Sequence, residues 1–129
     1  MLFEMADPAV LLKTVAETLD DLGLAMCVFD DEDRALLWNR SFLRLFPEHD
    51  GHVHVGEPYR ENLRRFYAGR LGPEHIAEID RYVDEGLRRH RAQLKAYTFE
   101  HHGRRIEVAS LPLRHDCSRA TMRRRIGSI

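Results

Sequence analysis

Residues 24–46 constrain this chain more than any other stretch. They read Leu-Ala-Met-Cys-Val-Phe, then Asp-Asp-Glu-Asp-Arg, then Ala-Leu-Leu-Trp, then Asn-Arg-Ser-Phe-Leu-Arg-Leu-Phe. Leu24 to Phe29 is an apolar run long enough for one buried strand and too short for a free-standing helix. The acids at 30–33 supply turn chemistry, because Asp side chains bond nearby backbone N–H groups and tolerate unusual dihedrals. Ala35 to Trp38 is a second short apolar run, so the pair predicts a hairpin. Asn39 is a good N-cap. Phe42, Leu45 and Phe46 then share one face of a helix that Pro47 stops. Asp30 and Asn39 are expected to tie strand end, turn and helix cap together.

The flanks follow the same rules. Asp7 and Pro8 open a helix over 8–22, where Leu12, Val15, Leu19 and Leu22 recur at 3-4-3 spacing until Gly23. That stripe either packs on its own domain or pairs with the same helix of a second copy. Pro58 opens a helix with Tyr59, Leu63, Phe66 and Tyr67 on its apolar face, ended by Gly69. Gly72-Pro73 opens the longest helix, with Ile76, Ile79, Val83 and Leu87 inward and Asp84–Arg88 and Glu85–Arg89 as i,i+4 pairs. Beyond it the period changes to two. Tyr97 and Phe99 alternate with polar neighbours, His101-His102-Gly103 turns, and Ile106, Val108 and Ser110 alternate back. Residues 120–126 read as a last strand or as a tail, since three successive arginines put at least one on each face.

Bulk properties narrow the classes. With 129 residues the chain fits one domain, 1–129, burying roughly two-thirds of its unfolded surface. A formal net charge of −1 gives no whole-protein attraction to nucleic acid or an anionic membrane. Cys27 and Cys117 form no C-x-x-C, which suits a reduced, cytoplasmic protein. No run approaches ~20 apolar residues, so no membrane span is expected.

Candidate chemistry is sparse. Eight histidines invite a metal reading, with His52-x-His54 and His49 in one polar loop. No spacing matches a zinc site, and loop histidines read as solvated surface, as does the His101-His102 hairpin tip. The acids at 30–33 lack the glycine and distal glutamate of a calcium loop. No P-loop, dinucleotide fingerprint or Gly-x-Ser-x-Gly is present, so no catalytic residues and no metal ligands are assigned. The basic tail at Arg114, Arg119 and 123–125 lacks interleaved aromatics and a recognition helix, so no nucleic-acid partner is expected.

Phe29-Asp30, the polar turn, and then Leu37-Trp38-Asn39-Arg40-x-Phe42-Leu43-x-Leu45-Phe46 resemble the opening of a PAS domain. The likeness is to the bacterial subgroup found ahead of histidine kinases and diguanylate cyclases. Residues 55–63 resemble its middle segment. Gly103 to Val108, with 111–113, resembles its penultimate strand and exit. The core so covered is 24–113, between the 8–22 helix and a last strand or tail at 114–129.

The resemblance implies an α+β fold: a five-stranded antiparallel sheet with helices across one face and an amphipathic N-terminal helix. It also implies a dimer contact through Leu12, Val15, Leu19 and Leu22. Some PAS domains hold haem through a histidine on the helix that carries His75 and His90. Both read here as polar helix ends, so haem is not expected. The Asn-Cys-Arg-Phe-Leu-Gln string of flavin photoreceptors is absent, so neither is flavin. The Asp-x-Thr that commonly closes a PAS domain is also absent, which leaves direct covalent linkage to an output domain in doubt. A cavity between sheet and helices would draw on Met26 and Val28 (or their alternates Cys27 and Phe29), Trp38, Phe42, Phe46, Leu63, Tyr97, Phe99 and Val108. Ser110, the Trp38 indole N–H and the Tyr97 hydroxyl would be its polar markers. The expected function is a sensory or protein-interaction module. It would bind a small ligand or a partner, signal as a homodimer, and feed a kinase- or cyclase-type output domain or protein. A small α+β enzyme, a ligand carrier and a pure dimerisation scaffold are the alternatives.

Overall fold

The computed structural model describes residues 7–92, 96–112 and 119–125, with side chains as far as Ser110. Helix α1 is Pro8–Asp21, β1 is Leu24–Phe29, β2 is Ala35–Trp38 and α2 is Arg40–Leu45. Helix α3 is Tyr59–Arg70, α4 is Ile79–Ala92, and strands β3, β4 and β5 are Tyr97–His101, Arg104–Pro112 and Arg119–Arg125. Short 3₁₀ turns at Pro47–His49 and Ile76–Glu78 precede α3 and α4. Of the sequence reading of the tail, residues 114–118, Cys117 among them, and 126–129 lie outside the described residues. Among those described, no helix is long and apolar enough to cross a membrane.

The local chemistry explains the boundaries. Asp7 caps α1 through its carboxylate on the Ala9 N–H, with Pro8 at the first helical position. Gly23, at φ +70°, makes the left-handed exit that L side chains resist. In the acidic turn Asp30 Oδ1 accepts from the N–H groups of both Glu32 and Arg34. Asp33 takes the positive φ (58°) that Asp tolerates. The β3–β4 hairpin closes on His102 and Gly103, both at positive φ, the requirement of a tight two-residue turn.

Strand β1 pairs antiparallel with β2, and β3 with β4. The backbone of β5 runs between the two hairpins, antiparallel to both β1 and β4, giving the order β2-β1-β5-β4-β3. The alternation of β1 then assigns its faces. Ala25, Cys27 and Phe29 pack with Phe42, Leu45 and Phe46 near α2, Tyr59 and Leu63 of α3, Val83 and Leu87 of α4, and Ile106 and Val108 of β4. Met26 and Val28 point the other way, onto Ala16, Leu12 and Leu19 of α1. The chain is thus a mixed α+β fold of helices and antiparallel strands, with α1 on one side of β1 and the other helices opposite.

Three expectations need correction. Ile76 is exposed, because the segment before α4 is a 3₁₀ turn rather than the helix's first turn. Asp84 pairs across to Arg60 of α3 at 2.7 Å, and Arg89 turns to the Tyr67 hydroxyl, in place of the expected i,i+4 pairs. The α1 stripe does not act as one face. Leu12 and Leu19 pack on the protein's own strands, while Val15 and Leu22 are exposed.

Candidate functional site

The sequence of α3 places Tyr59, Asn62, Leu63, Phe66, Tyr67 and Arg70 at i, i+3, i+4, i+7, i+8 and i+11, a single face along three turns. That face lines a cavity of about 310 Å³. Gly86 and Arg89 of α4 form a second wall, Tyr97 and Phe99 of β3 with Val108 of β4 a third, and Phe46 one end. Gly86 is what lets α4 come close: a Cβ there would sit 3.0 Å from both Cδ atoms of Leu63. The walls are mainly apolar and aromatic, the usual make-up of a small-molecule site.

A few polar groups interrupt them. Asn62 is 2 % exposed, and among the described residues its Nδ2 has no acceptor. A buried unpaired amide costs ~1–3 kcal/mol, so it marks a place where an acceptor is wanted. Arg89 Nη2 donates to the Tyr67 hydroxyl at 3.0 Å, and its guanidinium lies 5.7 Å from the Tyr97 ring. Burial pushes the Tyr67 hydroxyl above its ordinary value against the pull of Arg89. Burial alone would lower Arg89, but the facing Tyr67 and Tyr97 hydroxyls hold it above its usual range. Arg70 Nη1 donates to the Glu100 carbonyl at 2.6 Å and to Nδ1 of His101 at 3.4 Å.

Around the cavity runs a polar frame that sequence reasoning missed. His49, read as a loop histidine, is 1 % exposed, stacks on Phe42 at 5.3 Å and accepts from Arg65 at 2.8 Å. Arg65 also binds the buried carboxylate of Glu57. His90, read as a polar helix end, is buried between Phe29 and Tyr59, with Nε2 3.3 Å from Asp33 Oδ1. The helical period predicts this, since Val83, Leu87 and His90 share one face. His101, read as a solvated tip, is buried against Phe46 and Phe66, and its Nε2 lies 2.9 Å from Glu48. Burial would raise the Glu48 carboxyl, but the His101 hydrogen bond overrides this and leaves it below the ordinary glutamate value.

With His102, Glu48 and His101 bring three potential ligand atoms within 4.8 Å. Metal-bound imidazoles normally donate their second N–H to a carbonyl or carboxylate. Here Nδ1 of His101 faces a donor, Arg70, so the cluster suits a hydrogen-bonded pair better than a metal.

Of the ten expected pocket residues, Phe46, Leu63, Tyr97, Phe99 and Val108 line the cavity. Phe42 and Trp38 pack in or against the adjoining core. Ser110 lies 3.4 Å from Nδ1 of His90 instead. Met26 and Val28 are on the α1 side of β1, which puts the whole strand between them and the cavity; their alternates Cys27 and Phe29 face the helices. The expectation failed by one residue of register, and a one-residue step reverses every side chain of a strand. Tyr59, Phe66 and Tyr67, expected only as an apolar helix face, also line the cavity; Asn62, Arg70 and Arg89 were missed as polar and Gly86 as lacking a side chain, though helical spacing from Tyr59 and Leu63 points to Asn62 and Arg70.

No curated protein sequence matches the chain. Among solved structures, the PAS domain of BvgS from Bordetella pertussis is similar at 17% identity and a TM-score of 0.49, over 92% of this chain and 86% of that one. A sensory box sensor histidine kinase from Vibrio cholerae is similar at 14% identity and a TM-score of 0.42, over 94% and 95%. The family model described as PAS fold matches residues 19–122. That match takes in both hairpins, the capped α2 and every wall of the cavity, and the chain belongs to the PAS family.

Proposed function

We propose that this chain is a ligand-sensing PAS module of a bacterial signalling system, without catalysis of its own. The five strands act as one PAS sheet, a small molecule occupies the cavity beneath α3 and α4, and α1 carries the change outward in a homodimer. The output is a kinase- or cyclase-type domain or protein in the cytoplasm; the Vibrio cholerae neighbour, a sensor histidine kinase by its name, fits that setting. The observation that carries the reading is the cavity of about 310 Å³ with an unpaired buried amide in its wall. A core whose only task was to hold a scaffold together would close such a space, because interiors pack to near-crystal density.

The outward surface of α1 supports the dimer. Leu12 and Leu19 are committed to the chain's own strands, but Leu11, Val15 and Leu22 share a flank on which Val15 and Leu22 are 46% and 68% exposed. Light scattering on the wild type and on a Val15→Asp, Leu22→Asp variant tests this. A dimeric wild type and a folded monomeric variant are expected; an unchanged mass in the variant removes α1 as the contact.

A further inference from the structure

We infer that the cavity takes an organic acid, with a ring-sized apolar body inside and its carboxylate at the rim between Arg70 and Arg89. This rests on the ligand-sensing reading above and narrows it to a chemical class.

Charge is the first ground. Arg70 and Arg89 both line the cavity, and among the described residues neither has a carboxylate within ion-pair distance. Elsewhere on α3 the arginines are answered: Arg60 by Asp84, Arg64 by Asp80 and Arg65 by Glu57. Among the described residues Arg70 is the one arginine of α3 without an acid, and on α4 Arg81 and Arg91 have one while Arg89, and Arg88 outside the cavity, do not.

Placement is the second. Tyr97 and Phe99 stack with centroids 6.1 Å apart, and each carries a guanidinium, Arg89 5.7 Å from the Tyr97 ring and Arg70 5.3 Å from the Phe99 ring. A ring contact uses the charge of a guanidinium and none of its five N–H donors. Arg70 uses Nη1 on the protein and Arg89 bonds the Tyr67 and Tyr97 hydroxyls, which leaves each guanidinium with further N–H donors. Two like charges on adjacent rings repel unless an anion joins them, and a carboxylate accepts from both.

The depth of the site adds a third ground. Asn62 lies two helical turns from Arg70, about 12 Å along α3 at 1.5 Å per residue. Its unpaired Nδ2 is a donor too. The ligand therefore offers acceptors at both ends, an anion at the rim and a hydroxyl or carbonyl oxygen near Asn62. At interior packing density the cavity holds roughly a dozen non-hydrogen atoms, a fused ring rather than a fatty chain.

The test is calorimetric titration of the full chain with 2-naphthoate, 6-hydroxy-2-naphthoate, 2-naphthamide and inorganic phosphate. The acid is expected to bind about tenfold more tightly than the amide, as charge-assisted bonds require. The hydroxy acid should bind more tightly still, a gain that Asn62→Leu removes. Arg70→Gln and Arg89→Gln, both at exposed positions and checked for folding by circular dichroism, should each weaken the acid and leave the amide unchanged. Equal binding of acid and amide, untouched by either arginine variant, overturns the acid assignment while leaving a pocket for neutral ligands. Phosphate binding as tightly as naphthoate overturns the apolar body. No naphthyl probe binding to folded protein overturns both this inference and the sensing reading.

Discussion

The side-chain amide of Asn39 donates to the backbone carbonyl of Ala16 across 3.1 Å, joining α2 to the middle of α1. The same nitrogen donates to the Leu24 carbonyl at 2.8 Å, and Oδ1 accepts from the N–H groups of Met26 and Phe42 at 3.0 Å each. One buried side chain therefore holds α1, β1 and the start of α2 in register with its amide capacity used in full. Asn39→Asp keeps both acceptors but sets a carboxylate oxygen against two carbonyls. A loss of about 3 kcal/mol or more is expected, from a broken buried network. Amide exchange should rise first in α1. Equal loosening throughout would mean that Asn39 is merely a cap.

Asp20 repeats the link from the other side, accepting from the N–H groups of Arg40 and Ser41 at 3.2 and 2.8 Å. Burial opposes its charge, but these bonds prevail and hold its carboxyl below the ordinary 3.8; Glu48 likewise lies below 4.5. A lowered folded-state value adds stability that is present above the ordinary value and lost as pH falls through the folded one. The wild type should therefore lose more stability between about pH 5 and 3 than an Asp20→Asn, Glu48→Gln variant does. Parallel acid limbs in chemical denaturation would contradict the assignment.

Glu57 is 1 % exposed and Arg65 is its main charge partner. Arg65→Met strands a buried carboxylate, with an expected cost of about 2–4 kcal/mol. Adding Glu57→Gln to that variant should recover part of the loss, since the charge needing compensation is gone. A double variant as unstable as the sum of the singles would show that the two act separately.

Gly86→Ala trades two effects. Alanine gains up to about 1 kcal/mol of helix propensity. Its Cβ presses on Leu63, whose Cδ atoms can swing into the cavity that both residues line. The expected outcome is a protein slightly more stable in thermal unfolding and weaker in binding naphthoate. A destabilised variant would mean that Leu63 has no room, and hence that the space is smaller than described.

Much of this was legible in the residues. Capped helices, the acidic turn and the two hairpins each follow from local chemistry that a short window contains. The face of β1 did not. Every residue from Ala25 to Phe29 is buried, so no alternation marks which side is which. Buried histidines were hidden for another reason: polarity suggested surface at 49, 90 and 101, whereas helix and strand period placed His90 and His101 inward and a 3₁₀ turn carried His49 onto Phe42. The helical spacing of α3 points to Arg70, but that Arg70 and Arg89 lack an acidic partner among the described residues is known only once the chain is folded.

The central claim is that occupation of the cavity is felt at α1, and hydrogen–deuterium exchange of the full chain with and without saturating 6-hydroxy-2-naphthoate tests it most directly. Slower exchange is predicted in α3, α4 and β3, together with a change in α1, and the Asn39→Asp variant should retain the first effect while losing the second. Protection confined to the cavity walls, with α1 exchanging identically in both states, would contradict the account.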